Sequence, residues 1–332
     1  MDITAIVEQW RRDPAFMQNV TSWWTDAAAP PEWADLPSGL HPDLRSALAS
    51  HGIDKLYSHQ RSAFDLAALG ENIIISTGTA SGKTLCYNLP VLDRLFKAEG
   101  SALYLFPTKA LTQDQQKSLT SLIRASGKQQ SLLSAIYDGD TPTAQRSEIR
   151  SKASIVLTNP DMLHQGLLPH HTIWRHFLQN LQFVIIDEVH TYRGVFGSHI
   201  ANVIRRFKRV AAFYGSYPQL IMASATIGNP AGLASRLIEA PVSLIDHDGS
   251  PHGTRHYFIY NPPLVDEQLG LRKSAVQTGI QLSQKLRQNG RQNLIFARTR
   301  RTVEMILAYM RAQLAPDEQA SVRGYRSDRT KL

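Results

Sequence analysis

Short apolar runs separated by amphipathic stretches organise the middle of the chain, from about Ile53 to Ile245. Asn72–Ser76, Ala102–Phe106, Ser154–Thr158, Phe183–Asp187, Gln219–Ser224 and Val242–Ile245 read as strands. They are too apolar to leave one face in water, which is how a strand covered on both sides looks in sequence. Between them Leu85–Phe96, Lys109–Ser126, Thr143–Ser151 and Ser198–Phe213 have helical patterning. Strands alternating with helices predict an α/β fold, a RecA-like parallel sheet with helices on both faces and ligands at the carboxyl ends of the strands. Asp246–Thr254 is polar and turn-rich and reads as a linker. A second alternation then begins, with strands at His256–Tyr260 and Asn293–Phe296, a helix to about Gln288 and another through Leu314. The expected domains are an N-terminal extension over 1–52, a first domain over 53–246 and an incomplete second one over 255–332, since about 80 residues are few for a full α/β domain.

Charge changes this picture in one place. Residues 255–332 hold 14 Lys and Arg against 6 Asp and Glu, whereas the rest balances at 22 each, so the whole net charge of +8 lies in the last segment. A polyanion such as nucleic acid suits that segment, and so do ordinary solvated helix faces. No apolar run approaches the ~18 residues of a membrane span, and the first residues lack the apolar core of a secretory signal. The lone cysteine, Cys86, excludes an internal disulfide or a cysteine zinc cluster, and reads as a small buried apolar residue in a cytoplasmic protein. Trp10, Trp23, Trp24 and Trp33 crowd the N-terminal extension. They are expected to anchor it on the main domain by packing, with a nucleic-acid stacking surface as the other open reading.

Two stretches carry chemistry. Ile73–Ser76 is followed by Thr77, Gly78, Thr79, Ala80, Ser81, Gly82, Lys83 and Thr84, and then by a helix. Strand, small-residue loop with Gly-Lys-Thr, helix is the context of a phosphate-binding loop. Backbone N–H groups must face phosphate oxygens there, and the helix N-terminus adds partial positive charge. Lys83 would reach the β- and γ-phosphates of ATP and the Thr84 hydroxyl would bind Mg²⁺. The first glycine of the simple pattern is replaced by Thr77. The second stretch, FVIIDEVH, ends a buried strand in Asp187 and Glu188. Neighbouring carboxylates are costly to bury without a partner, so a metal and a water make physical sense of them. Asp187 would hold Mg²⁺ through water and Glu188 would orient and deprotonate the attacking water. Gln60, with Tyr57 nearby, has an amide able to pair with adenine N6 and N7 and an aromatic ring able to stack on the base. Arg205, Arg206, Lys208 and Arg209 crowd one helix end, where a nucleic-acid face and a complement to the helix dipole are both open readings.

The order of the pieces resembles the superfamily 2 helicases. LYSHQ (Leu56–Gln60) is similar to their Q motif, TGTASGKT to motif I, PTKALTQDQ (Pro107–Gln115) to motif Ia, and YDGDTP (Tyr137–Pro142) and TNPDML (Thr158–Leu163) to the motifs that grip nucleic acid. DEVH (Asp187–His190) resembles motif II, SAT (Ser224–Thr226) motif III and LIFARTRR (Leu294–Arg301) motif IV. HTYRGVFGSHIANVIRR, with NPDMLH and YDGDTP, resembles more narrowly the MrfA (YprA) type of DExH-box DNA helicase. That likeness implies ATP-driven 3′-to-5′ translocation on single-stranded or forked DNA, duplex unwinding and a role in DNA repair. It implies phosphate contacts from Pro107, Thr108, Lys109, Gly139, Thr158 and Asn159, and coupling of ATP to DNA through His190, Ser224 and Thr226. Nothing after Tyr325 supplies motifs V and VI or the family's cysteine cluster. The missing arginine finger, a factor of ~10³–10⁵ in rate, makes slow hydrolysis by this chain alone the expectation. A non-hydrolysing ATP- and DNA-binding module and an RNA helicase are the alternative readings.

Overall fold

The computed structural model describes residues 2–324. Its strands in chain order are β1 Val20–Asp26, β2 Trp33–Asp35, β3 Lys55–Tyr57, β4 Ile73–Ser76, β5 Ser101–Leu105, β6 Leu133–Ile136, β7 Ala153–Thr158, β8 Leu181–Ile186, β9 Gln219–Ser224, β10 Ser243–Ile245, β11 Arg255–Tyr260, β12 Leu264–Asp266 and β13 Leu271–Arg272. Seven form one sheet in the order β10–β4–β9–β8–β5–β7–β6, with every neighbouring pair parallel. This is the RecA-like α/β sheet that the alternating pattern predicts.

The period-2 geometry of the strands sorts their side chains between two cores. Ile73 and Ile75 join Tyr104, Leu157 and Ile185 on one face, under the helices Ser58–Ala68, Lys83–Lys97 and Lys109–Ala125. Ile74 joins Leu103, Val156, Val184 and Met222 on the other, under Gly194–Phe213 and Pro230–Ile238. Cys86 is fully buried in the first core, where burial pushes its thiol pKa up and leaves it a small apolar side chain. β6 has no counterpart in the sequence reading. It is an edge strand with every residue at least partly exposed, and Ser134 interrupts its short apolar run.

The chain divides into two compact units, one spanning Ala29–His252 and the other combining residues before Ala29 with residues after His252. The expected 1–52 extension is therefore split. Residues 29–52 belong to the first unit, where β2 pairs with β3. In the second unit β1 pairs antiparallel with β11, setting Trp23 opposite Phe258 and Trp24 opposite Tyr257. Complementary aromatic surface is the reason: Trp10 stacks on Phe16 at 5.1 Å between ring centroids and Trp23 on Phe258 at 4.9 Å. The tryptophans of β1 thus pack, as expected, but on β11. The strand expected at Asn293–Phe296 does not form. Leu294 and Phe296 are 74% and 88% exposed, and no described strand lies beside them to complete a ladder. The helices Ala275–Gln288 and Arg300–Ala312 flank them around a small core of Ile280, Ile306 and Met310. Among the described residues no helix is long and apolar enough to cross a membrane. The stretch from Tyr325 onward, where motif V was sought, lies outside the described residues.

Central and edge strands should differ in sensitivity. Ile185→Ala, at a fully buried position of β8, is expected to cost about 2–5 kcal/mol. Leu133→Ala at the edge, 36% exposed, should cost under about 1 kcal/mol. Urea unfolding followed by circular dichroism reads both.

Candidate nucleotide site and nucleic-acid face

Because β4, β9 and β8 run parallel, their carboxyl ends open on the same edge of the sheet. β4 and β8 are two strands apart, about 10 Å. The loop Thr77–Gly82 leaves the first and Asp187 and Glu188 leave the second. In the loop the left-handed backbone positions are Ala80 (φ 61°) and Gly82 (φ 81°), with Thr77 outside that region. The threonine in place of a first glycine therefore meets no backbone penalty, and its Oγ1 lies 2.7 Å from Ser81 Oγ, bracing the turn. Gly82 suits its place: its φ favours glycine, and a Cβ there would sit 2.6 Å from Gln60 Nε2 and push that side chain aside. The helix begins at Lys83, whose ammonium donates to the Thr77 and Gly78 carbonyls at 3.1 and 2.6 Å.

Gln60 lies against this loop. Its Nε2 donates to Gly82 O at 3.1 Å, and its Oε1 accepts from Tyr57 N at 3.0 Å at the start of its own helix. An amide has two donor hydrogens and two acceptor lone pairs, so one of each remains for a base edge. The Tyr57 ring stacks on the half-exposed Trp33 at 4.9 Å, an aromatic platform beside the loop in which the sequence reading gave Trp33 no part.

Asp187 is buried, 7% exposed, and accepts from Glu188 N at 2.8 Å through Oδ1. Burial raises its pKa to about 6, the neighbouring Glu188 charge adds to that, and the bonds from Glu188 N and Tyr87 with the Lys83 charge oppose it. The Tyr87 hydroxyl is 3.0 Å from Asp187 Oδ2, 3.2 Å from Gln115 Oε1 and 3.4 Å from Thr84 Oγ1. One phenol thus joins the loop helix, the Pro107–Gln115 stretch and the acidic pair. Tyr87 lies one helical turn beyond Lys83, so its facing was legible from i, i+4 spacing and was missed. Glu188 holds a left-handed backbone (φ 54°), strained for a non-glycine residue, and its carboxylate lies 3.1 Å from His190 Nδ1. The same Nδ1 is 3.3 Å from Ala225 N. Protonated, it donates to Glu188, whereas unprotonated it accepts from Ala225, and one nitrogen cannot do both. The link to Ser224–Thr226 therefore runs through the Ala225 backbone. Ser224 Oγ donates to Ala225 O at 2.8 Å, and Thr226 is exposed.

Oxygen donors at Thr84 and Asp187 suit a hard cation such as Mg²⁺. Among the described residues no group of three or more His, Cys, Asp or Glu could hold a metal unaided. That donor set matches an ion shared with substrate phosphates.

The nucleic-acid candidates lie on the same edge, after β5, β6 and β7. Thr108 caps the helix Lys109–Ala125, accepting from Leu111 N at 3.3 Å, and Asn159 accepts from Met162 N at 2.8 Å. Thr108 leaves helix-start amides beside it for phosphate, whereas after Asn159 Pro160 has no N–H to offer. Lys109 Nζ is 2.7 Å from Asp140 in an exposed pair next to Gly139, so a phosphate would compete with that carboxylate. Thr158 requires correction. It is 2% exposed and its hydroxyl donates to Tyr137 O at 2.6 Å, bracing the neighbouring loop instead of facing a strand. The basic helix end also resolves in part. Arg205 pairs with Glu239 at 2.6 Å and Lys208 donates to Ile238 O at 2.7 Å, both at the end of the adjacent helix.

The sequence profile of the DEAD/DEAH box helicases matches residues 57–232. YprA of Bacillus subtilis, described as an uncharacterised ATP-dependent helicase, is 47% identical over 312 residues, covering 93% of this chain and 41% of its own length. The crystal structure of the DUF1998 helicase MrfA bound to DNA superposes with a TM-score of 0.89 at 44% identity, over 94% of this chain and 41% of that one. MrfA bound to DNA and AMPPNP gives 0.88 at the same identity, over 94% and 43%. The chain therefore spans less than half the length of these relatives. With its parallel sheet, the loop Thr77–Gly82 ahead of the Lys83 helix, and Asp187 and Glu188 at the end of a neighbouring strand, the chain belongs to the DEAD/DEAH box helicase family of ATP-dependent helicases.

Proposed function

We propose that this chain binds ATP–Mg²⁺ and single-stranded or forked DNA as part of a cytoplasmic DNA-repair helicase that couples hydrolysis to 3′-to-5′ translocation and unwinding. The observation that carries the reading is the Tyr87 hydroxyl within hydrogen-bonding distance of both Thr84 Oγ1 and Asp187 Oδ2, which makes the loop helix and the acidic pair parts of one pocket. Support for DNA comes from the relatives, since MrfA is crystallised with DNA and AMPPNP.

Each residue has a defined task in this reading. The Lys83 ammonium leaves the Thr77 and Gly78 carbonyls for the β- and γ-phosphates, exchanging two neutral acceptors for a polyanion. Thr84, and Asp187 through water, would hold Mg²⁺, and the ion would supply neutralisation of phosphate charge. Glu188 takes the proton of the water that attacks the γ-phosphorus, and ADP leaves. His190 then reports on Glu188. When its Nδ1 keeps the Glu188 contact it cannot accept from Ala225 N, so motif III senses the state of the acid. On the nucleic-acid side the helix start beside Thr108, with Lys109 and Asn159, holds phosphates without reading bases, as a motor requires.

Two outcomes test this. Lys83→Ala should weaken binding of a fluorescent ATP analogue with Mg²⁺ by at least about tenfold, roughly the loss of one charge-assisted contact. Unchanged affinity would exclude the site. The second concerns pH. A carboxyl with its pKa raised from 3.8 to about 6 binds more protons folded than unfolded between those values. Its contribution to stability is therefore greatest at low pH and falls by about 3 kcal/mol as pH rises through that window. A cation needs the ionised form, so Mg²⁺-dependent ATP affinity should fall between pH 7 and 5. Asp187→Asn should lose that component while the pH dependence measured in EDTA stays as in the wild type.

A further inference from the structure

The polar stretch read as a linker is built into the phosphate loop. Asp248 Oδ2 accepts the Gly78 N–H at 3.0 Å, while its Oδ1 accepts from Ser250 N and Oγ at 3.0 and 2.7 Å. Gly249 N donates to His59 Nδ1 at 3.2 Å, and His59 Nε2 lies 3.0 Å from Ser81 O. A carbonyl only accepts, so Nε2 carries the proton and Nδ1 is the acceptor, which defines a neutral tautomer with both nitrogens satisfied. The His59 side chain is fully buried, and burial lowers its pKa, favouring that neutral form. The segment is also stitched to the chain before β3: Glu32 N donates to Gly249 O at 2.9 Å, and Ala29 and His252 form a β-bridge. Two glycines make the fit. A Cβ at Gly78 would come within 2.9 Å of Asp248 Oδ2, and one at Gly249 would overlap the Ser58 hydroxyl. Gly78, expected to face phosphate, thus directs its N–H to Asp248 instead.

We infer that Asp248, with His59, is a positioning residue for the nucleotide: the strap Asp246–His252 clamps both ends of the phosphate loop, at Gly78 and at Ser81, and so presets the loop for a triphosphate. This rests on the proposed ATP site and adds a part that lies outside its motifs. The loop between the two clamped points carries the exposed Thr79 and Ala80, and its other ties are the Thr77–Ser81 contact and the Lys83 ammonium on the Thr77 and Gly78 carbonyls. Holding both ends lowers the ordering cost at binding. Coupling is reciprocal, so a nucleotide on the loop must also steady the strap. The strap ends at His252, the last residue of this unit.

The test uses the whole chain, a fluorescent ATP analogue with Mg²⁺, and hydrogen exchange. Asp248 is partly exposed, so Asp248→Ala should fold. It is expected to weaken the analogue about five- to tenfold, the scale of one charge-assisted hydrogen bond. Gly78→Ala, whose Cβ displaces the Asp248 carboxylate, should weaken it by a similar factor. The double variant should be no weaker than the weaker single one, because both changes break one contact. Nucleotide should slow amide exchange across residues 246–252 in the wild type and leave it unchanged in Asp248→Ala. Losses that multiply in the double variant, or an Asp248→Ala chain that binds as tightly as wild type while Lys83→Ala does not, would overturn the inference alone. A wild-type chain that fails to bind the analogue would overturn the proposed function and this inference with it.

Discussion

Everything at this site depends on a carboxylate kept where water would not leave it. Asp187 sits at the end of a fully buried strand, and its burial raises the cost of its charge. A core position would favour an apolar side chain there. What makes the carboxylate tolerable is a ring of partners, the Glu188 N–H, the Tyr87 hydroxyl and the Lys83 charge, each drawn from the pocket edge. The parallel sheet supplies that edge. All seven strands point their carboxyl ends one way, so a loop from β4 and an acid from β8 meet without either leaving its element.

The partners of Asp187 also explain why the site is a unit. Tyr87 brings Thr84, Gln115 and Asp187 to one hydroxyl with one proton to give. His190 brings Glu188 and the Ala225 backbone to one ring nitrogen. In both cases a single atom cannot satisfy all its neighbours at once. Such competition allows alternative arrangements, which packed cores do not offer. The strained backbone at Glu188 belongs to the same theme, since strain persists only where the surroundings enforce it.

How much of this was legible in sequence depended on locality. The phosphate loop and the acidic pair were readable because their chemistry demands particular residues within a few positions of one another. Five of the seven sheet strands were readable because both faces are covered, and the edge strand β10 was readable from its apolar Leu244 and Ile245. β6 was not, because Ser134 interrupts its short apolar run at the sheet edge. Asn293–Phe296 had the run without a neighbouring strand, and an apolar stretch cannot reveal by itself whether a ladder awaits it. Thr158 looked available for phosphate because a strand end is exposed by default, and only the fold shows Tyr137 O claiming its hydroxyl. Asp248 lies 170 positions from Gly78, and no spacing rule spans that distance. The tryptophans of β1 were read correctly as packing residues, but the surface they pack on, β11, was set by strand pairing that no local pattern encodes.

The central claim is that the Lys83–Thr84 turn and Asp187 enclose one triphosphate–cation pocket. A crystal structure of this chain with AMPPNP and Mn²⁺, the ion located by its anomalous signal, tests it most directly. The account predicts one anomalous peak bounded by Thr84 Oγ1, Asp187 and the β- and γ-phosphates, with Lys83 turned from the Thr77 and Gly78 carbonyls onto phosphate. Phosphates bound elsewhere, or an ion that touches neither Thr84 nor the shell of Asp187, would contradict it.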